Sequence, residues 1–423
     1  MIVRRWSWLV SLLIVSLVGH ASAQGVVVLR IFGERASMAA LRPAVEAFNE
    51  QYAGRIRAEV ETVGQPAEAL QRALAQFLSG SAVYDVLGIL RVAQVGPYLE
   101  PLTSFLQREG LAPARIYGAS VLGELAYRGH VVALPFRLNM NVLYYRRDLF
   151  ESAGLRPPAA LEDYWEVARR LTRRSAGRVE VYGAGLELSE PQWSTISFGD
   201  FLLPHGGRLI RADGRGPHES LRGDLAVRIL RLFRQLAEEG LVPNPLSYSY
   251  QENVALWQQG RVAMSPEHVG RVFLVEDPSV SRVVGRVGYA PLPSRRVGPE
   301  RPVFRATVWK LGIDRNSSKK EAAWQFIKFV TSVPQLRRAL LATGNPAPLA
   351  AVYDDPEVRR RVPYADAVRL QLRAGYLDPL PIPRASQVER VVHEEVHAVV
   401  LGRKSPEAAA ADLYRRVEEI LSQ

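Results

Sequence analysis

Two rhythms of apolar and polar residues alternate along the first third of this 423-residue chain. Short, β-branched, apolar runs at 26–32 (VVVLRIF), 56–63 and 82–90 read as strands. Between them, 39–52 places Leu41, Val45 and Phe48 on one face of a helix, and 67–78 forms a second helix. The order β-α-β-α-β predicts a doubly wound, parallel sheet. Ligands in such sheets sit beyond the carboxyl ends of the strands, where Glu34, Arg35 and Arg91 fall. Residues 33–35 read as a tight loop.

The pattern changes downstream. A strand is expected at 142–145, helices at 162–171, 224–239 and 251–259, and a loop carrying Trp193. Strands at 287–292 and 304–313 flank a Pro/Gly/Arg-rich stretch, and a helix follows at 321–331. Residues 376–383 (YLDPLPIP) form a proline-rich loop. Helices at 387–401 and 405–421 end the chain, the last with Ser405 as N-cap and Pro406 in its first turn. Trp257 and Trp324 fall on apolar helix faces and are assigned to the core, and Asp85 to ordering a strand end.

Composition adds three constraints. Arg4 and Arg5 precede an apolar run at 9–18, too short to span a bilayer, and Ala21-Ser22-Ala23 follows. This is a secretion signal over 1–23, with the mature chain starting at Gln24 and no other segment apolar enough to span a membrane. There are no cysteines, which excludes disulfides and a lipid-anchored N-terminus and points to the periplasm. The net charge is +11, but the arginines are scattered through amphipathic helices with no interleaved aromatics, which argues against nucleic acid.

Several segments together carry a family likeness. They include 41–51 (LRPAVEAFNEQ), 81–86 (SAVYDV), 99–103 (LEPLT) and Leu134-Pro135 followed by 142–150 (VLYYRRDLF). Downstream come 257–264 (WQQGRVAM) and 311–313 (LGI) with 317–324 (SSKKEAAW). In this order the chain resembles the periplasmic solute-binding proteins of sugar ABC importers, the maltose-binding-protein-like family. The resemblance implies an α/β, two-lobe periplasmic binding protein fold of type II, with three hinge crossings and a ligand cleft between the lobes. It divides the chain into 24–136 plus 292–347 and 137–291 plus 348–423. It also implies a monomer without cofactor or catalytic machinery. Such a protein delivers a di- or oligosaccharide to inner-membrane permease subunits by hinge closure.

A sugar site needs aromatic faces for the ring and polar groups for the hydroxyls. Besides Glu34, Arg35 and Arg91, the resemblance directs attention to Arg137, Asn139 and Asn141 at the first lobe crossing. Asn139 is an amide near a position where relatives carry a sugar-binding carboxylate. Trp193, Glu267, His268, Arg305, Trp309 and Arg384 complete the expected ligand-binding set. Its arginines at 35, 91, 137, 305 and 384 keep open an anionic solute such as glycerol phosphate or its diesters.

One motif points elsewhere. Residues 393–397 read HEEVH, the H-E-x-x-H pattern of zinc hydrolases. Val388, Val392, Val396 and Val399 mark the buried face of that helix, with His393 and His397 flanking it. No third His follows, and Glu418 lies on the next helix without a surrounding signature. The reading favoured here is two boundary histidines and no bound metal, with the secreted zinc hydrolase as the alternative.

Overall fold

The computed structural model describes residues 25–117, 119–247, 249–295 and 302–423. The expected signal segment lies outside them, as does part of the Pro/Gly/Arg-rich stretch after residue 292. Strand β1 (Val27–Glu34) pairs in parallel with β2 (Ile56–Val63) along its full length, and with β3 (Val86–Ile89) at Ile31 and Phe32. Helix α1 (Arg42–Gln51) joins β1 to β2, with Pro43 in its first turn and Ala44, Val45, Ala47 and Phe48 buried. Helix α2 (Pro66–Ser79) joins β2 to β3. The β-α-β-α-β reading therefore holds. Asp85, just before β3, accepts from the Arg30 amide and the Ser317 hydroxyl and pairs with Lys319, so it does order a strand end.

The turn at 33–35 differs from expectation. β1 continues to Glu34, and Arg35–Ala39 is a short helix. The Glu34 carboxylate accepts from the Ala36 and Ser37 amides at 2.7 Å each. An acidic N-cap satisfies amide donors that a helix start leaves orphaned, and this favours a helix over a loop.

The central strand β4 (Ala133–Arg146) is far longer than the expected 142–145. Its C-terminal half pairs with β5 (Met264–His268) and β6 (Val287–Ala290). Its N-terminal half pairs with β7 (Phe304–Ile313), which pairs on its other edge with β3. The two-residue strand β8 (Tyr376–Leu377) lies parallel to the start of β7. These eight strands form one mixed sheet, separate from two small two-stranded ones, and β4 and β7 tie its two halves together. The register of β4 against β7 slips at Trp309/Lys310, leaving Phe136 as an extra residue. Pro135 beside it has no N–H to donate, so a bulge here sacrifices little. Along β4, Arg137, Asn139 and Asn141 alternate with buried Leu138, Met140 and Val142. The period of two puts the three polar residues on one face.

The other helices of nine residues or more are α3 (Leu161–Leu171), α4 (Pro191–Leu202), α5 (Asp224–Glu238), α6 (Tyr250–Gln258), α7 (Lys320–Val330), α8 (Val333–Thr343), α9 (Ala365–Ala374), α10 (Ala385–Val400) and α11 (Pro406–Ser422). Helix α4 corrects the loop expected around Trp193. Pro191 occupies its first turn, where a missing N–H costs nothing. The helix escapes a search for one apolar face because it is buried nearly all round, from Ser194 to Leu202. Trp257 and Trp324 are both core residues, as expected.

Candidate functional site

A cavity of about 630 Å³ opens where the middle of β4, the first turn of α4, the end of β5 and the start of β7 converge. Residues 343–345 and 378–380 complete its lining. Eight of the twelve residues singled out from sequence line this one space: Arg91, Arg137, Asn139, Asn141, Trp193, His268, Arg305 and Trp309.

Two of these are locked in a buried bridge. Asp200 on α4 accepts from Arg305 Nε at 2.9 Å with one oxygen and from Asn141 Nδ2 at 2.7 Å with the other. Burial raises the Asp200 pKa, and the Arg305 guanidinium opposes that rise. Arg91 faces Asp378 and Glu389, each at 3.5 Å. Burial raises the Glu389 carboxyl against the pull of Arg91. Behind them, Lys310 is sealed in the core, its Nζ donating to the Leu90 and Val308 carbonyls at 2.9 Å each. Glu124 completes this group by accepting from the Asp378 amide, and burial pushes its carboxyl well up.

His268 accepts the Gly270 amide on Nδ1 at 3.0 Å, which leaves the proton of the neutral ring on Nε2. Burial, aided by Arg271, Arg137 and Arg305, pushes its pKa down to about 3. The ring is therefore a neutral donor at physiological pH. Trp193 stacks over Tyr250 at 6.3 Å between centroids, with the Arg271 guanidinium 4.3 Å from the Tyr250 ring and 5.5 Å from that of Trp193.

Several polar atoms in this wall have no hydrogen-bond partner although they are buried. They are Arg91 Nε, Arg137 Nε, Asn139 Oδ1, Thr195 Oγ1 and His268 Nε2. Folded proteins rarely leave such groups unpaired. Gathered on one cavity, they are groups with hydrogen-bonding capacity left for a polar solute.

The other four expected residues lie off this wall. Glu34 is spent as a helix cap, and Arg35 is exposed on the helix it begins. Glu267 points into the protein, where it pairs with Arg271 and accepts from Asn253, Trp257 and Ser265. Its effect on the cavity is indirect, by fixing the cation beneath Trp193 and Tyr250. Arg384 donates to the Ile420 carbonyl at 2.5 Å and so ties α10 to α11. Conversely, Thr195, Tyr250, Phe273, Gly344, Asp378 and Glu389 line the cavity without having been singled out. Asp378 lies in the proline-rich loop and carried a signal. The others sit on helices and turns whose local sequence carries none.

The HEEVH segment is used structurally. His393 Nδ1 shares a hydrogen bond of 2.9 Å with Ser194, and His397 Nε2 donates to the Leu188 carbonyl at 2.6 Å. Glu394 pairs with Arg416. Both imidazoles thus bind α10 to α4 and the segment before it. Among the described residues, no three His, Asp or Glu side chains stand together as a metal-holding group.

The fold is that of solved two-lobe solute-binding proteins. It superposes on the sugar-binding protein of Xanthomonas citri with a TM-score of 0.78 at 21% identity, covering 93% of this chain and 97% of that one. The profile of the bacterial extracellular solute-binding proteins matches residues 33–335, and the chain belongs to that family. It is 25% identical over 371 residues to a probable amino-acid ABC transporter periplasmic-binding protein of Sinorhizobium fredii, covering 84% of this chain and 80% of the other. It is 27% identical over 314 residues to the mannitol-binding protein of Pseudomonas aeruginosa, covering 69% and 70%. Members of the family bind small solutes for ABC permeases and are binding proteins, not enzymes. Among the described residues, no helix is long and apolar enough to cross a membrane.

Proposed function

We propose that this protein is the periplasmic receptor of an ABC importer for a polyol or small sugar. One observation carries the reading: a cavity of about 630 Å³ combines aromatic faces with buried donors and acceptors that lack partners. Hydroxyl-rich solutes satisfy both, through C–H faces on Trp193 and Trp309 and through hydrogen bonds to Asn139, Thr195 and His268. The volume suits a ligand of one to a few sugar units, within the roughly 300–1,000 Å³ common for small-molecule sites. The name of the mannitol-binding relative points the same way.

In this reading, 24–136 plus 292–347 forms one lobe and 137–291 plus 348–423 the other. β4 and β7 act as hinge strands, and the ligand bridges the lobes and shifts the population towards the closed form. Residues 1–23 are removed on export, no lipid anchor is added, and the receptor works as a monomer.

The experiment is a thermal melt of the secreted protein against polyols, monosaccharides and disaccharides. A ligand at a hundredfold excess over its Kd stabilises by about 2.7 kcal/mol, several degrees in midpoint. A shift selective for one compound supports the reading, and indifference to the whole panel overturns it.

A further inference from the structure

We propose that Arg137 determines specificity by taking an anionic group of the solute, so that the ligand is an acidic polyol or sugar bearing one carboxylate or phosphate. The inference rests on the carbohydrate reading and narrows it. Three guanidiniums line the cavity, and they are not equivalent. Arg305 is matched by Asp200 at 2.9 Å. Arg91 is matched by Asp378 and Glu389. The Arg137 side chain makes no hydrogen bond and no ion pair with any described residue, and its Nε is buried without a partner.

The surroundings supply no contact partner for it. Glu34 is the acid whose field reaches Arg137, but its two carboxylate oxygens are already held by the Ala36 and Ser37 amides. The residue opposite Arg137 in the sheet register is Trp309, an apolar ring. His268 is neutral, for its Nδ1 accepts an amide proton. The group around Arg91 offers no spare anion either. Its carboxyls at 124, 378 and 389 already serve Arg91 and Lys310.

Arg137 is half-buried, its Nε is sealed without a partner, and a ligand oxyanion satisfies it through a two-pronged match to the guanidinium fork. Asn139, two residues along the same face of β4, presents an unpartnered Oδ1. It accepts from a hydroxyl close to the anionic end. The pair therefore reads an oxyanion next to a hydroxyl, the end group shared by sugar acids and by polyol and sugar phosphates.

The test is calorimetry on the secreted protein with polyols, hexoses and disaccharides, each offered neutral, as the carboxylate and as the phosphate. The wild type is expected to bind one anionic form at least tenfold more tightly than its neutral parent. Arg137→Gln is expected to erase that preference while weakening the neutral parent less than threefold, and Arg137→Lys to restore part of it. The carboxylate and phosphate arms tell which oxyanion is meant. If a neutral compound binds best in the wild type, or if Arg137→Gln weakens neutral and anionic forms alike, Arg137 serves hydroxyls and the proposal falls, with the carbohydrate reading intact. If no compound of any charge binds, both fall together. The wild-type preference needs no variant, so a misfolded Arg137→Gln protein leaves the test decisive.

Discussion

Arg305 and Asp200 form an ion pair inside the cavity wall, Nε donating to Oδ1 at 2.9 Å, and both side chains are all but sealed from water. The pair joins β7 to α4, and Asn141 of β4 donates to the second oxygen of Asp200. Breaking a buried pair leaves an uncompensated charge, so Asp200→Leu is expected to cost about 3–5 kcal/mol in urea unfolding. Combining it with Arg305→Met is expected to recover much of that loss. A double variant as unstable as the single one would show that the pair matters through its shape and not its charge.

Trp193 lines the cavity, stacked on Tyr250 and next to the Arg271 guanidinium. Trp193→Ala is expected to weaken ligand binding by about 1 kcal/mol or more, roughly fivefold, with little change in the melt of the free protein. Titration of both proteins with one ligand checks this.

Gly344 ends α8 with a φ of 71°. A Cβ there would lie 2.1 Å from Cε2 of Phe273. Gly344→Ala is expected to destabilise the protein on both counts. Adding Phe273→Ala removes the clash and leaves the backbone term, about 1–2 kcal/mol. Denaturation of the single and double variants separates the two.

His268 sets a pH dependence. Its folded pKa, pushed down to about 3, lies below the unfolded value of 6.5. Between these values the unfolded chain binds the extra proton, so this contribution to stability is full above about pH 6.5 and fades as pH falls towards 3. His268→Gln is expected to flatten the acid side of the stability curve relative to the wild type. Parallel curves for the two proteins would contradict it.

His397 donates to the Leu188 carbonyl, so its removal is a packing change and not the loss of a metal ligand. His397→Ala is expected to cost about 1 kcal/mol of stability. Zinc and chelator are expected to leave the wild-type melt unchanged. A stabilisation by stoichiometric zinc that disappears in His397→Ala would revive the hydrolase reading.

Much of the fold was legible in the chain because it depends on local periodicity. The strands at 56–63 and 304–313 have the expected bounds, and helices such as α3, α5 and α11 agree within a residue or so. Trp193 shows where this fails. A helix buried on all sides has no polar stripe, and a leading Pro reads as a loop. The length of β4 was missed because Arg137, Asn139 and Asn141 interrupt an apolar run. They do so every second residue, which is the pattern of a strand facing a polar cavity.

Local chemistry along the chain sets the alternation of strands and helices and the apolar faces that make the core. These follow from side-chain size, branching and periodicity, which act between near neighbours. The tertiary structure decided which charges are free. Glu34, Glu267 and Arg384 look like Arg137 in the chain, as polar residues near the ends of strands or helices. In the fold, Glu34 caps a helix, Glu267 holds Arg271 and Arg384 ties two helices. Arg137 alone among these four lines the cavity. The reason is that pairing is a matter of a few ångströms across chain separations such as the 105 residues between Asp200 and Arg305, and no local pattern encodes it.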